Sequence, residues 1–173
     1  ASMAGKLENP SFEKDFGSCE NMNVWGSHGF AWGEAFQVYA GQDDHAKTAL
    51  TGDRILMINV PPGSWNGAWQ QVPWAEKAPF AWEAYCLIKG GDLPYNCSTF
   101  MKVEFYDGND TQLGVVEGGR RRADTKGRCV SDSLRGETPP GTVAIRFILI
   151  AGSNEDGSNI VDRIFWDDAD TIE

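Results

Sequence analysis

The stretch Phe100–Tyr106, with the sequence FMKVEFY, alternates apolar and polar side chains as a half-buried β-strand does. Every second residue would point to a core, and the residues between them, Lys102, Glu104 and Tyr106, would point away. The following Asp107-Gly108-Asn109-Asp110 is typical of a hairpin turn. The stretch therefore predicts an antiparallel sheet with one buried face.

Similar segments recur along the chain, separated by glycine and proline turns, and no window has a convincing helical period. We predict strands at Lys6–Glu13, Phe30–Tyr39, Arg54–Val60, Ala68–Trp74, Phe80–Ile88, Thr111–Glu117, Thr142–Ala151 and Ile160–Asp168. Long loops are predicted at Glu13–Phe30, Gly118–Gly141 and Gly152–Asn159. This spacing predicts an all-β fold, a two-sheet antiparallel β-sandwich of the jelly-roll type.

The composition supports one folded domain. The 173 residues are 41% hydrophobic and 23% charged, and nine Phe, seven Trp and four Tyr accompany 20 Gly. We interpret residues 1–5 as a linker or cloning remnant and residues 6–173 as a single domain, expected to be monomeric. No apolar run is long enough to cross a membrane, and a net charge of −10 would repel nucleic-acid phosphates.

The four cysteines are Cys19, Cys86, Cys97 and Cys129, and their spacing is not that of a zinc site. Cys86 and Cys97 flank a short loop, so a disulfide between them and a fully reduced protein are both open. The even number of cysteines favours a secreted, extracellular protein.

Strand parity collects flat rings and hydrogen-bonding groups on the side away from the core. The residues assigned to this face are Trp69, Gln71, Glu83, Tyr85, Lys102, Glu104, Tyr106 and Arg146. A sugar offers an apolar C–H face to aromatic rings and a rim of hydroxyls to amides, carboxylates and guanidinium groups. We predict carbohydrate binding here, with stacking on Trp69, Tyr85 and Tyr106; the alternative is a solvated sheet face with scattered rings and ion pairs.

Other candidates lie outside the regular strands. Trp25, in the first long loop, is added to the predicted binding residues, and Trp65 is a further candidate on a turn. Arg120-Arg121-Arg122 could clamp the uronate or sulfate groups of an acidic glycan. A solvated loop balanced by Glu117 and Asp124 is the interpretation we favour for these arginines.

Four short motifs occur in order along almost the whole chain. They are Asn9-Pro10-Ser11-Phe12-Glu13, Trp69-Gln70-Gln71-Val72, Val103-Glu104-Phe105-Tyr106-Asp107 and Ile164-Phe165-Trp166-Asp167-Asp168-Ala169. Together they resemble the motifs of β-jelly-roll carbohydrate-binding modules of families 4, 16 and 22. Ala169 departs from the valine that is usual there.

The resemblance implies a non-catalytic accessory module, excised from a larger polysaccharide-degrading enzyme. Such a module would bind a plant or algal polysaccharide or oligosaccharide in a concave aromatic cleft and target the covalently linked glycoside hydrolase or lyase to its substrate. The resemblance also implies a structural Ca²⁺ with Glu13 and Asp167 as ligands. Two carboxylates brought together would repel one another without such a cation.

Two other functions stay open at this stage. One is a structural or adhesion β-sandwich without a sugar ligand. The other is a small jelly-roll enzyme, in which Glu83 and Glu104 would flank a glycosidic bond. Lys102 and Arg146 would more simply pair with these carboxylates, and the sequence has no nucleophile elbow, zinc-protease motif or phosphate loop.

Overall fold

The computed structural model describes residues 5–13, 26–27, 34–39, 52, 54–153 and 159–172. Its strands are β1 (Gly26–Ser27), β2 (Glu34–Tyr39), β3 (Arg54–Val60), β4 (Trp65–Pro73), β5 (Pro79–Ile88), β6 (Ser98–Tyr106), β7 (Gln112–Glu117), β8 (Val130–Glu137), β9 (Ala144–Gly152) and β10 (Ile160–Thr171). These ranges contain no helix, and hence none of the length and apolarity needed to cross a membrane.

The ten strands form two antiparallel sheets. Sheet A has the order β1-β4-β9-β6-β7, and sheet B has the order β2-β3-β10-β5-β8. Consecutive strands often lie in different sheets, as in a jelly roll, because β3 and β4 or β5 and β6 turn from one sheet to the other. The predicted two-sheet antiparallel sandwich is confirmed.

The core lies between the sheets and is built from the inward residues of each alternating strand. The aromatic rings of Trp82 in sheet B and Phe147 in sheet A meet edge to face, with centroids 5.2 Å apart. Phe80 and Phe105 make a second contact between the sheets at 5.5 Å. Such ring pairs add to the stabilisation from apolar burial.

A polar contact also joins the sheets inside this core. The indole N–H of Trp166 in β10 donates to the Thr99 hydroxyl in β6 at 2.9 Å, and that hydroxyl donates to the Ile150 carbonyl at 2.8 Å. Both Trp166 and Thr99 are fully buried. The hydroxyl therefore satisfies a donor that water could not reach.

The first described segment, residues 5–13, closes one edge of the sandwich without forming the strand predicted at Lys6–Glu13. Asn9 and Phe12 have positive φ angles of 48° and 58°, which interrupt an extended strand. The side chain of Gln70 exchanges two hydrogen bonds with the Glu8 backbone, and Phe12 is buried in the core.

The predicted loop Gly118–Gly141 contains strand β8, which the sequence did not reveal. Its residues VSDSLRGE carry one buried apolar side chain, Leu134, so no apolar alternation marks the strand. It forms an edge of sheet B by pairing with β5, and backbone hydrogen bonds define it more than apolar burial does.

No Cys86–Cys97 disulfide is present. Cys86 is a free, buried thiol in the core, and burial raises its pKa well above the usual value. The Cys97 thiol lies 3.8 Å from the Ser153 hydroxyl as its hydrogen-bond partner. Cys19 lies outside the described residues.

The contact between Trp166 and Thr99 gives a stability prediction. Thr99→Val removes the acceptor and leaves a buried indole N–H unpaired, so the free energy of unfolding should fall by about 1–3 kcal/mol. Urea unfolding would measure the change. The exposed Thr111→Val is the matched control and should stay within about 0.5 kcal/mol of the parent; equal stabilities for both variants would contradict the assigned role of the bond.

Candidate functional site

The outward side of sheet A carries the largest group of candidate residues. Neighbouring strands β4, β9 and β6 are in register, so that Gln71, Arg146 and Glu104 lie directly opposite one another. The neighbouring row of outward residues across the same three strands contains Trp69, Ile148 and Lys102. Six of the predicted residues are therefore brought together on this face: Trp69, Gln71, Lys102, Glu104, Tyr106 and Arg146.

The Arg146 guanidinium is the centre of this group. It lies 4.2 Å from the ring centroid of Trp69 and 4.5 Å from that of Tyr106, so it is held between two aromatic rings. The Arg146 Nη2 and Nε also donate to the Gln71 side-chain oxygen at 2.9 and 3.2 Å. Rings and amide together fix the plane of the guanidinium.

Glu104 lies beside this guanidinium and is 5% exposed. Its carboxylate is 3.0 Å from the Lys102 ammonium and 4.0 Å from Arg146, and it accepts a 2.6 Å hydrogen bond from the Tyr106 hydroxyl. Burial and then the hydrogen bond to Glu104 raise the pKa of Tyr106 to about 12. Tyr106 is therefore a protonated donor at neutral pH.

Tyr106 does not have the open ring that the sequence prediction requires. It is only 7% exposed, whereas Trp69, which contacts the same guanidinium, is partly exposed. The prediction of Tyr106 as a stacking surface is therefore wrong, and the residue instead positions Arg146 and Glu104. Trp69 is half-buried and packs against the apolar side chains Phe100, Ile148 and Ile150.

Glu83 and Tyr85 do not belong to this group. Both lie in β5, which is part of sheet B, and their parity directs them to the outward side of that sheet. There the Tyr85 hydroxyl donates to Glu83 at 3.1 Å, which raises the pKa of Tyr85. Placing these two residues on one face with Trp69 was wrong, because alternation separates inward from outward but does not assign a strand to a sheet.

The same finding removes the carboxylate pair suggested for an enzyme. Glu83 and Glu104 point away from each other on opposite sides of two sheets that stack about 10 Å apart. A pair that flanks one glycosidic bond must lie within about 10 Å of each other, with both groups facing the substrate. Glu83 and Glu104 cannot do this.

A second aromatic cluster extends the outward side of sheet A beyond Lys102. The Trp65 and Phe100 rings meet edge to face at 6.0 Å, and the Arg120 guanidinium lies 5.5 and 4.7 Å from their centroids. A pocket of about 210 Å³ is bounded by these three residues together with Lys102, Glu117 and Ile150. Phe100 was not a candidate in the sequence, although its outward parity in β6 could have indicated it.

The three consecutive arginines separate in the fold. Arg121 forms a two-pronged ion pair with Asp132, with Nη2 2.8 Å from one carboxylate oxygen, and Arg122 donates to the Leu93 carbonyl at 2.9 Å. Arg120 alone of the three reaches the outward side of sheet A. Trp25 lies outside the described residues.

Glu13 and Asp167 lie where the first segment meets the last strand. The Ala169 N–H donates to the Pro10 carbonyl at 2.8 Å, the Glu13 carboxylate accepts the Arg54 N–H at 2.8 Å, and fully buried Asp167 accepts the Asp168 N–H at 2.9 Å. A β-bulge between Asp167 and Asp170 breaks the parity of β10 here. Within the described ranges, no three His, Cys, Asp or Glu side chains form a metal cluster.

Comparison with known proteins identifies the fold. No protein-family model and no curated protein matches the sequence. Among solved structures, a family 22 carbohydrate-binding module from Clostridium thermocellum Xyn10B superposes with a TM-score of 0.63 at 17% identity, covering 96% of this chain and 93% of the module. A two-module structure of Xyn10B, CBM22-1–GH10 complexed with xylohexaose, matches at 0.63 and 15%, covering 99% of this chain and 29% of that one.

Proteins of other functions share this fold. A cyclase from Fischerella sp. TAU matches with a TM-score of 0.66 at 13% identity, covering 99% of this chain and 96% of the cyclase. The enzymatically active domain of bacteriophage CBA120 tailspike protein 4 matches at 0.63 and 14%, over 96% of this chain but only 21% of the tailspike chain. The predicted likeness to carbohydrate-binding modules is confirmed at the level of the fold.

The raised pKa of Tyr106 gives a testable pH dependence. A phenol whose pKa rises from 10.0 to about 12 on folding stabilises the protein below pH 10, and this contribution is lost as the pH rises towards 12. Between pH 10 and about 12, the free energy of unfolding measured in urea should therefore fall less for Tyr106→Phe than for the parent. Tyr95→Phe, at a site that is 77% exposed, should behave like the parent; the same loss in all three proteins would contradict the assignment.

Proposed function

We propose that the protein is a non-catalytic carbohydrate-binding module and that the outward side of sheet A binds the sugar chain. The observation that carries the proposal is the Trp69 ring, half-buried on an apolar floor and placed against Arg146 in a row of hydrogen-bonding side chains. An aromatic plane next to fixed polar groups fits the two kinds of surface that a pyranose presents.

The polar groups around Trp69 are placed to form hydrogen bonds with sugar hydroxyls. Gln71 is exposed, and its amide nitrogen remains available while its oxygen accepts from Arg146. Arg146 and Lys102 are cations held in place by Glu104, which lowers the entropy lost when they bind a hydroxyl. Tyr106 would not contact the sugar itself but would position Glu104, because its hydroxyl donates a hydrogen bond to that carboxylate.

A module of this kind raises the local concentration of an attached enzyme on its substrate. We propose that it is secreted and covalently linked in its native protein to a polysaccharide-degrading catalytic domain, as the family 22 module is linked to GH10 in the Xyn10B structure. The benefit of linkage is a higher local concentration of the catalytic domain on its substrate, without any chemistry in the module itself.

The proposal includes a structural calcium ion held by Glu13 and Asp167. Both are carboxylates, the ligands that Ca²⁺ prefers, and a hydrogen bond from Ala169 to Pro10 joins the segment that carries Glu13 to the strand that carries Asp167. Backbone carbonyl oxygens would have to complete the ligand set, since only these two side chains are assigned. The ion would bind two distant parts of the chain and stabilise their contact.

Trp69→Ala tests the sugar site. The variant should lose about 2 kcal/mol or more of binding free energy, roughly 30-fold in affinity, because a stacking ring at the centre of a site is the usual hot spot. Affinity electrophoresis and calorimetry against neutral β-glucan, xylan, mannan and galactan would measure this loss. Tyr85→Ala is the control, since Tyr85 lies on the opposite sheet.

The outcomes separate the candidate functions. Retardation without product release, lost in Trp69→Ala and kept in Tyr85→Ala, supports a binding module. Release of reducing ends would show an enzyme, and failure to bind any polysaccharide, neutral or acidic, would indicate a structural sandwich. Unchanged binding by Trp69→Ala would show that the sugar binds at another site.

Chelation tests the calcium ion. Removal of Ca²⁺ with EDTA should lower the melting temperature by several degrees, because a ligand bound only to the folded state stabilises it. Without EDTA, Glu13→Gln should already melt at a lower temperature than the parent, and EDTA should lower its melting temperature little further. Glu83→Gln is the control, and EDTA should lower its melting temperature as much as it lowers that of the parent. A melting temperature that is the same in EDTA and in excess Ca²⁺ would refute the ion.

A further inference from the structure

From the pocket bounded by Trp65, Phe100 and Arg120 we infer that the sugar chain is anionic, with a carboxylate or sulfate substituent bound at Arg120. This inference rests on the proposed function and names the class of its ligand. The pocket adjoins the Trp69 group through Lys102, which lines the pocket and also pairs with Glu104. One chain lying across sheet A could therefore contact both groups.

Two aromatic rings hold Arg120 at this pocket. Its guanidinium lies 4.7 Å from the Phe100 centroid and 5.5 Å from the Trp65 centroid, within the range of a cation–π contact with each ring. A guanidinium has five N–H donors, and a planar carboxylate or a sulfate can accept two of these hydrogen bonds at once. The side chain is 53% exposed, which leaves it accessible.

Glycine makes room for the second ring. A Cβ at Gly152 would come within 2.6 Å of the Trp65 ring, so the ring rests against the backbone of β9. Trp65 is 37% exposed in this position. The exposed part of the ring can contact a pyranose.

Arg120 differs from its two neighbours in how its donors are used. Arg121 and Arg122 make hydrogen bonds of 2.8 and 2.9 Å to Asp132 and to the Leu93 carbonyl. The ion pair of Arg120 with Glu117 is 3.6 Å long, and Glu117 is 44% exposed. This separation is longer than a charge-assisted hydrogen bond, so an incoming anion can displace Glu117 at little cost.

The charged groups that pair on this side are more cationic than the molecule as a whole. Among the described residues of the outward groups, Lys102, Arg120 and Arg146 face Glu104 and Glu117, which gives three positive and two negative charges. The chain as a whole has a net charge of −10 and repels polyanions. An acidic glycan therefore meets less repulsion at Lys102, Arg120 and Arg146 than the charge of the whole chain implies.

The experiment compares chemically matched polymers. Polygalacturonate and its carboxyl-reduced galactan form one pair, and a sulfated galactan and its desulfated form make the other, all measured by calorimetry. The parent should bind at least one acidic polymer about tenfold or more tightly than its neutral partner. Which pair shows the difference distinguishes carboxylate from sulfate recognition.

Three variants locate the effect. Arg120→Gln should lower affinity for the acidic polymer about tenfold more than affinity for the neutral one, and Glu117→Gln should raise the affinity for the acidic polymer. Arg128→Gln removes the same charge from an exposed turn that leads into β8 of sheet B, and it should have no effect.

The failures are distinguishable. Equal affinity for acidic and neutral polymers, or an acidic preference that Arg120→Gln leaves intact, would overturn this inference while the carbohydrate-binding proposal stands. Failure to bind any of the four polymers and any neutral glucan, xylan or mannan would overturn both.

Discussion

The outward side of sheet A depends on one group, the Arg146 guanidinium. It contacts a ring from β4 and a ring from β6, an amide of β4 and a carboxylate of β6, while its own backbone belongs to β9 between them. The three strands would bring the same residues into register without it, but their side chains would keep their rotamer freedom. By contacting side chains of both adjacent strands, the arginine restricts their rotamers and gives this surface a fixed shape.

This arrangement is possible because the sheet is apolar on both sides at its centre. Ile148, Ile150 and Phe100 are buried although they point away from the main core, and Trp69 packs on them. Polar residues lie beside this apolar patch, where Arg146 and Lys102 retain 21% and 12% side-chain exposure. A floor of apolar groups under a half-buried indole excludes water from one side of the ring and strengthens the contacts of its neighbours.

Alternation in the sequence was sufficient to predict the fold class, most of the strands and the in-or-out direction of residues such as Glu104 and Met101. It could not predict that Glu83 and Tyr85 face the other way, because sheet membership depends on the long-range pairing of β5 with β10 and β8. Strand β8 itself was invisible, since an edge strand with one buried leucine has no apolar period. The contact of Arg146 with two rings depends on diagonal neighbours across three strands, which no local pattern specifies.

The surroundings of Glu104 do not suit a general acid. A general acid must hold a proton that it can donate to a glycosidic oxygen. Glu104 lies between two cations, and the Tyr106 hydroxyl donates to it, so its charged form is stabilised from three directions. Glu83, the other carboxylate suggested for catalysis, is on the far side of the sandwich. Among the described residues, the surface around Glu104 presents fixed hydrogen-bond donors and an aromatic plane, the two kinds of group on which the proposed sugar site rests.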